Sequence, residues 1–229
     1  MATAEIRIIN QSRISDQVYD YLRGEIVSGR LAPGERISPE ELAGRLKISK
    51  MPIKEAIERL ASDGLFEIQA RRGTYVSRLN PIELAETFEV RCALEVLAGR
   101  KAVAHITKAD IERLQELIAA MEQSTGKDDV RKHLDQNAQF HELILKLSGN
   151  RKLLETWHRL RTPIHVAGIH HRTDNWTARV AQEQREHRAI ARALERRDPD
   201  AVEQAITQHI LRAGSTLSQD IEKITGQEK

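Results

Sequence analysis

The sequence predicts a mainly α-helical protein in two parts: a three-helix head closed by a β-hairpin, then an antiparallel all-α bundle of about six helices. Three observations carry this expectation. Residues 12–63 repeat apolar side chains at helical spacing in three runs, parted by turn and cap residues. Two short runs then read as strands, "LFEIQ" and "TYVSR", separated by "ARRG". From Pro81 onward only helical periodicity is found. The stretch "LNPIE" marks the join, giving parts 1–79 and 80–229.

In the first predicted helix Ile14, Val18, Leu22 and Ile26 recur every fourth residue, and Gly29 ends it. "LAPGERIS" supplies a turn. Ser38 is the expected N-cap of a short helix over 39–46, with Pro39 in its first position and Glu41 placed to complete a capping box. Ser49 is expected to cap a third helix whose apolar face is Ile53, Ala56, Ile57 and Leu60, ending at Asp63-Gly64. Gly73 falls near the tip of the hairpin. Three helices and a hairpin in this order make a winged helix-turn-helix, which reads duplex DNA with its second motif helix in the major groove. The N-terminal end of that helix carries Ser49, Lys50, Met51, Pro52 and Lys54. Lys50 can donate to guanine or phosphate, Ser49 to phosphate, and Lys54 lies one turn deeper. Pro52 costs little in a first turn, where its missing N–H has no helical partner. On the wing, Arg71 and Arg72 suit a minor groove or a backbone, and Gly73 permits close approach. Arg36, at the end of the preceding turn, completes the basic set assigned to DNA.

Composition restricts the alternatives. The chain has 229 residues, enough for two domains or one large one, with 36 Lys and Arg against 34 Asp and Glu. Residues 1–80 hold 13 of those bases and 11 of those acids, leaving 23 and 23, so the small positive balance sits in the head. A single cysteine, Cys92, excludes an intrachain disulfide framework and fits a reducing compartment. The start "MATAEIRIIN" lacks the pattern of a signal peptide, and no apolar run approaches the roughly 20 residues that span a bilayer. A soluble cytoplasmic protein without a membrane partner is expected.

Residues 12–78 resemble the winged helix-turn-helix of GntR-family transcription factors. The matching stretch is "ELAGRLKISKMPIKEAIERLASDGL". Lys50 and Lys54 stand where the family usually has arginine, Met51 where threonine is common, and Glu40 at an often basic position. The resemblance implies a bacterial transcriptional regulator, most often a repressor, that binds a double-stranded operator as a homodimer. Lysine lacks the bidentate fork of arginine, so the operator preference is expected to differ.

The second part predicts helices over about 81–104, 107–122, 128–147, 151–167, 174–197 and 199–223, with breaks at Thr107, Asn150 and Asp198-Pro199. Polar side chains occupy apolar stripes in three of them. Asn137 and His141 share a face with Leu134, Ile144 and Leu145; His187 sits between Val180 and Leu194; His209 follows Val202 and Ile206. A buried imidazole needs a partner. Side chains from facing helices can meet to form a metal site, and imidazole with an amide carbonyl suits a divalent transition metal.

"NAQFHELILKLSGN", "EHRAI" and "QHI" resemble the FCD-type effector domain of the FadR-like branch of the same family. The resemblance implies metal ligands at Asn137, His141, His187 and His209, with Zn or Ni foremost and Mn or Fe as alternatives. It also implies a small carboxylate effector. "VRCALEVLA" resembles the first bundle helix of that domain and makes Arg91 the candidate carboxylate clamp, its alternative being an ion pair with Glu95. Arg161, one turn past Trp157, is a second candidate, while His165, His170 and His171 read as loop histidines. Two other classes compete with this one. A metalloenzyme lacks support, because "HELIL" fails the H-E-x-x-H pattern and no nucleophile elbow, Walker loop or dinucleotide fingerprint occurs. An architectural DNA-binding dimer with merely packed histidines is the other.

Overall fold

The computed structural model describes residues 12–27, 30–78, 80–124, 129–167 and 176–227; the side chains of 12, 13, 27, 130, 131, 161–167 and 224–227 lie outside that description. The chain divides into two compact units, Met1–Arg78 and Leu79–Lys229.

In the first unit, α1 (Ser12–Val27) buries Val18, Leu22 and Ile26, while Ile14 is 46% exposed. The expected every-fourth-residue stripe drifts off the buried face of the helix. Twelve residues at about 100° each leave Ile14 about 120° away from Ile26, and Ser15 takes the buried position instead. Helix α2 (Pro39–Leu46) starts as expected, with Ser38 Oγ accepting from the Glu41 N–H at 3.2 Å. Only this serine half of the capping box is formed. Lys47 closes the helix in the left-handed region, at φ 54°. Helix α3 (Lys50–Ser62) buries Ile53, Ala56, Ile57 and Leu60 and packs on α1. Arg59 pairs with Asp16 at 2.5 Å and the Tyr19 hydroxyl donates to Asp63 at 2.6 Å, tying the same two helices from the solvent side. The expected end of α1 at Gly29 lies outside the described residues.

The hairpin forms as expected from β2 (Phe66–Gln69) and β3 (Gly73–Val76). A third strand, β1 (Arg36–Ile37), was not anticipated, because two residues are too short to show an alternating pattern. The sheet order is β1-β3-β2, all antiparallel, with Arg36 opposite Tyr75 and Phe66 opposite Val76. Arg71 at φ 64° and Gly73 at φ 125° turn the chain at the tip.

The second unit is all helical among its described residues: α4 (Pro81–Ala102), α5 (Lys108–Gln123), α6 (Val130–Leu147), α7 (Arg151–Ala167), α8 (Trp176–Glu195) and α9 (Pro199–Gln227). The breaks read from the sequence act as caps. Thr107 forms a full capping box with Asp110, Asn150 accepts from the Lys152 N–H at 3.1 Å, and Asp198 accepts from the Ala201 N–H at 3.0 Å. One core joins Phe88, Leu114, Met121, Phe140, Ile190 and Ile206. Helices α4 and α9 form its spine. A β-carbon at Gly99 would stand 2.6 Å from Ile206 Cδ1, and one at Gly214 would stand 2.7 Å from Phe88 Cβ. These two glycines set how closely the helices approach. No described helix is long and apolar enough to cross a membrane.

Candidate nucleic-acid interface and candidate metal centre

At the start of α3 the expected DNA-facing side chains are at the surface. Ser49, Lys50 and Lys54 are exposed, Met51 is 66% exposed, and Pro52 is half-buried in the first turn. Ser49 occupies the N-cap position but makes no capping bond, which corrects the expected role of its hydroxyl. Its backbone still turns the chain into the helix, at φ −67° and ψ 160°. With no acidic residue in the first turn either, the N–H groups and positive dipole end of α3 suit an anion such as phosphate. Lys50 Nζ lies 3.0 Å from Glu40 Oε1, a partner the sequence did not reveal. On the wing, Arg36, Arg71 and Arg72 are exposed. A β-carbon at Gly73 would lie 3.0 Å from Arg36 Nε, so β1 brings this guanidinium to the tip.

In the helical unit, His141, His187 and His209 are each at most 2% exposed and come together from α6, α8 and α9. One candidate ligand atom from each lies within 4.8 Å of the others, and the Nε2 atoms of His141 and His209 are 3.3 Å apart. What orients the rings is a set of acceptors on the opposite nitrogens. His141 Nδ1 donates to Glu95 at 2.6 Å, His209 Nδ1 to Glu186 at 2.9 Å, and His187 Nδ1 to the Gln184 carbonyl at 3.1 Å. A carboxylate only accepts, so the proton sits on Nδ1 and the lone pair on Nε2 faces inward. His187 Nε2 and Asn137 Oδ1 are buried with no hydrogen-bond partner among the described residues. Two orphaned acceptors beside two further imidazole lone pairs form a donor set that fits a divalent transition metal.

Electrostatics prepare the imidazoles for that role. Burial is the largest influence on His141 and lowers its pKa to about 4 despite the adjacent Glu95; burial also pushes His187 well below the usual histidine range. Burial alone would raise Glu95, but Arg91, His141 and Trp157 outweigh it and hold the carboxyl well below its ordinary value. In Glu186 the bonds from His209, Arg212 and Gln182 likewise overcome burial and bring the pKa down to about 2. The His141 and His187 rings are thus kept neutral, and Glu95 and Glu186 stay charged.

Arg91 is 5% exposed, and its Nε donates to Glu95 at 2.5 Å. Both sequence readings of this residue meet in one place, because Arg91 also lines a cavity with Asn137 and His209. That cavity is about 50 Å³ and includes Arg179, Arg212, His133 and Trp176. Arg212 is spent on Glu186 and Arg179 on Asp220. The side chain of Arg161 lies outside the described residues, as does that of His165; His170 and His171 lie wholly outside.

Sequence reasoning missed Glu186, Gln184, Arg179, Arg212 and His133. His133 had a signal, standing one turn before Asn137 on the same face. It is buried, with Nε2 3.4 Å from Glu183. Glu186 had none, because it neighbours His187 in sequence and looked like solvent-facing charge.

Comparison with known proteins agrees with both units. The model for bacterial regulatory proteins of the gntR family matches residues 14–76, and the FCD domain model matches residues 86–212. The HTH-type transcriptional repressor RspR of Escherichia coli is 26% identical over 95% of this chain and 94% of its own length. A protein of Paenarthrobacter nicotinovorans, described as "Probable D-xylose utilization operon transcriptional repressor", is 31% identical over 88% of both chains. The solved structure of E. coli McbR/YncC superimposes with a TM-score of 0.75 at 24% identity, covering 90% of this chain and 97% of that one. A winged head and a helical bundle are thus the two parts that the two family models match: the chain belongs to the GntR family of bacterial regulatory proteins with an FCD domain, DNA-binding transcription regulators and not enzymes.

Proposed function

We propose that this regulator senses a small carboxylate at a divalent metal held by Asn137, His141, His187 and His209, and that two chains pair through their helical units to grip an operator. The observation that carries the reading is the convergence of three buried imidazoles, with the Nε2 atoms of His141 and His209 3.3 Å apart, while His187 Nε2 and Asn137 Oδ1 are buried without a partner and Asn137 lines a cavity with His209. A metal there supplies Lewis acidity that attracts an anionic oxygen. Arg91 is placed to add a guanidinium contact, since only its Nε is bonded to Glu95. Size narrows the effector. A water needs roughly 10–15 Å³ of such space, so about 50 Å³ admits a group of three to five water-sized atoms. A short-chain carboxylate fits that volume. Zinc or nickel suits the imidazole-rich set best, with manganese or iron as alternatives.

Support for pairing comes from α4. Val90 and Leu97, 49% and 48% exposed, lie on one stripe with exposed Ala93, and the stripe has Glu86 at one end and Lys101 at the other. Val90 and Leu97 are centred on the same point as Glu86 and Lys101, between Ala93 and Leu94. Two copies crossing antiparallel there set apolar against apolar and acid against base, the self-complementarity a two-fold interface requires. At the head, Ser49, Lys50, Met51, Pro52 and Lys54 on α3, with Arg36, Arg71, Arg72 and Gly73 on the wing, are the proposed operator contacts. Effector binding that favours one arrangement of the paired bundles lowers operator affinity by linkage.

The test is His187→Ala. Metal content by elemental analysis should fall from about one ion per chain towards none, and the response of operator binding to short-chain carboxylates should vanish, with basal operator affinity retained. A variant that kept its effector response would refute the metal-centred switch. Wild type whose operator binding is unchanged both by chelation and by short-chain carboxylates would favour a purely architectural bundle.

A further inference from the structure

Glu40 is an acid in a surface otherwise prepared for a polyanion. It stands in the first turn of α2, and its carboxylate meets Lys50, the first residue of α3, at 3.0 Å. Both side chains are more than half exposed, at 59% and 56%, so neither is spent on the core. Wherever the start of α3 enters a groove, this carboxylate enters beside it. A carboxylate is an acceptor only, and phosphates repel it; in a major groove it can face only an exposed amino group.

We propose that Glu40 and Lys50 act as one unit that reads a single C·G base pair, Glu40 accepting from cytosine N4 while Lys50 donates to guanine O6 and N7. The spacing carries the argument. Within a C·G pair the N4 donor and O6 acceptor are hydrogen-bonded to each other, about 2.9 Å apart. The acceptor and donor of the protein pair are 3.0 Å apart, so the two edges match as complements. An A·T pair also offers an amino group beside a carbonyl, but adenine N7 would face the carboxylate and the thymine methyl would crowd the ammonium. Guanine N7 gives Lys50 a second acceptor instead. A reversed G·C pair sets like against like. Position matters too: Lys50 is tethered to Glu40, which restrains an otherwise flexible ammonium and gives lysine a direction it lacks alone.

Selection of operator sequences from a randomised duplex pool, at one salt concentration, tests this with the full chain. The wild type should enrich one fixed C·G pair in each half-site. Glu40→Ala should reduce discrimination between C·G and A·T at that position by about tenfold while leaving other positions unchanged. Glu40→Gln should shift the preference there towards adenine, which an amide can contact at N6 and N7 together. Glu40→Ala that keeps every base preference and merely binds all duplexes more tightly, with a steeper salt dependence, would show Glu40 to be an electrostatic brake and overturn the proposal. So would a wild-type pool in which no position sensitive to Glu40 is a C·G pair.

Discussion

His141 shows how much one residue can set. Its imidazole is kept neutral by burial, with a pKa of about 4 against an ordinary 6.5, while its Nδ1 proton is held by Glu95. The unfolded chain takes up a proton at this residue as pH falls below about 6.5, and the folded chain does so only near 4. In that window the unfolded state binds more protons, so stability declines as pH falls, by about 3 kcal/mol for a shift of this size. Glu95 acts in the adjoining window, since its depressed pKa stabilises the fold above the ordinary carboxylate range and that contribution is lost below it. Unfolding midpoints of metal-free protein, measured from pH 7 to pH 4, should therefore drop steadily. His141→Gln should flatten the profile between 6.5 and 4. An unchanged slope in that variant would show that His141 titrates alike in both states.

At the scale of elements, the pairing of α4 with α9 depends on two glycines that would be faults in an isolated helix. Replacing a helical glycine by alanine ordinarily gains up to about 1 kcal/mol of propensity. Space reverses the sign here. The clash at Gly214 is with Phe88 Cβ, an atom close to its backbone, whereas the clash at Gly99 is with the tip of Ile206 and with Val202 Cγ1. Gly214→Ala should cost about 1–3 kcal/mol through overpacking, and Gly99→Ala less, because the Ile206 tip can rotate away. Chemical denaturation of the two variants decides the order. Equal or stabilising effects would mean that the helices can separate without loss. The same logic separates α2 from α3: the hydroxyl of Ser38 closes α2, whereas that of Ser49 leaves the start of α3 open for an anion.

In the proposed regulator two chains together present two reading heads to a two-fold operator, and the α4 stripe is the proposed means. Leu97→Glu places a charge at the centre of that apolar contact, on the exposed face of α4 and away from the buried face that carries Glu95. It should convert a dimer to a monomer in sedimentation while leaving helical content and metal binding intact. Operator affinity should fall by about 10²–10⁴, the avidity lost when one head binds alone. A Leu97→Glu protein that remains a dimer would move the interface elsewhere.

Local order along the chain was readable from residues alone. Helix starts at Ser38, Asn80, Thr107 and Asp198 and the hairpin all follow from capping chemistry and periodicity, which act over a few residues. Stripes even revealed that Asn137, His141, His187 and His209 face inward, because helical geometry fixes direction within each element. Tertiary structure alone decided that the rings meet, which nitrogen of each looks to the centre, and that Glu95, Glu186 and Gln184 hold them there. It also placed β1 beside the wing and Glu40 against Lys50. Those facts depend on distances between segments far apart in sequence, and a one-dimensional pattern carries no record of which acceptor a buried proton will find.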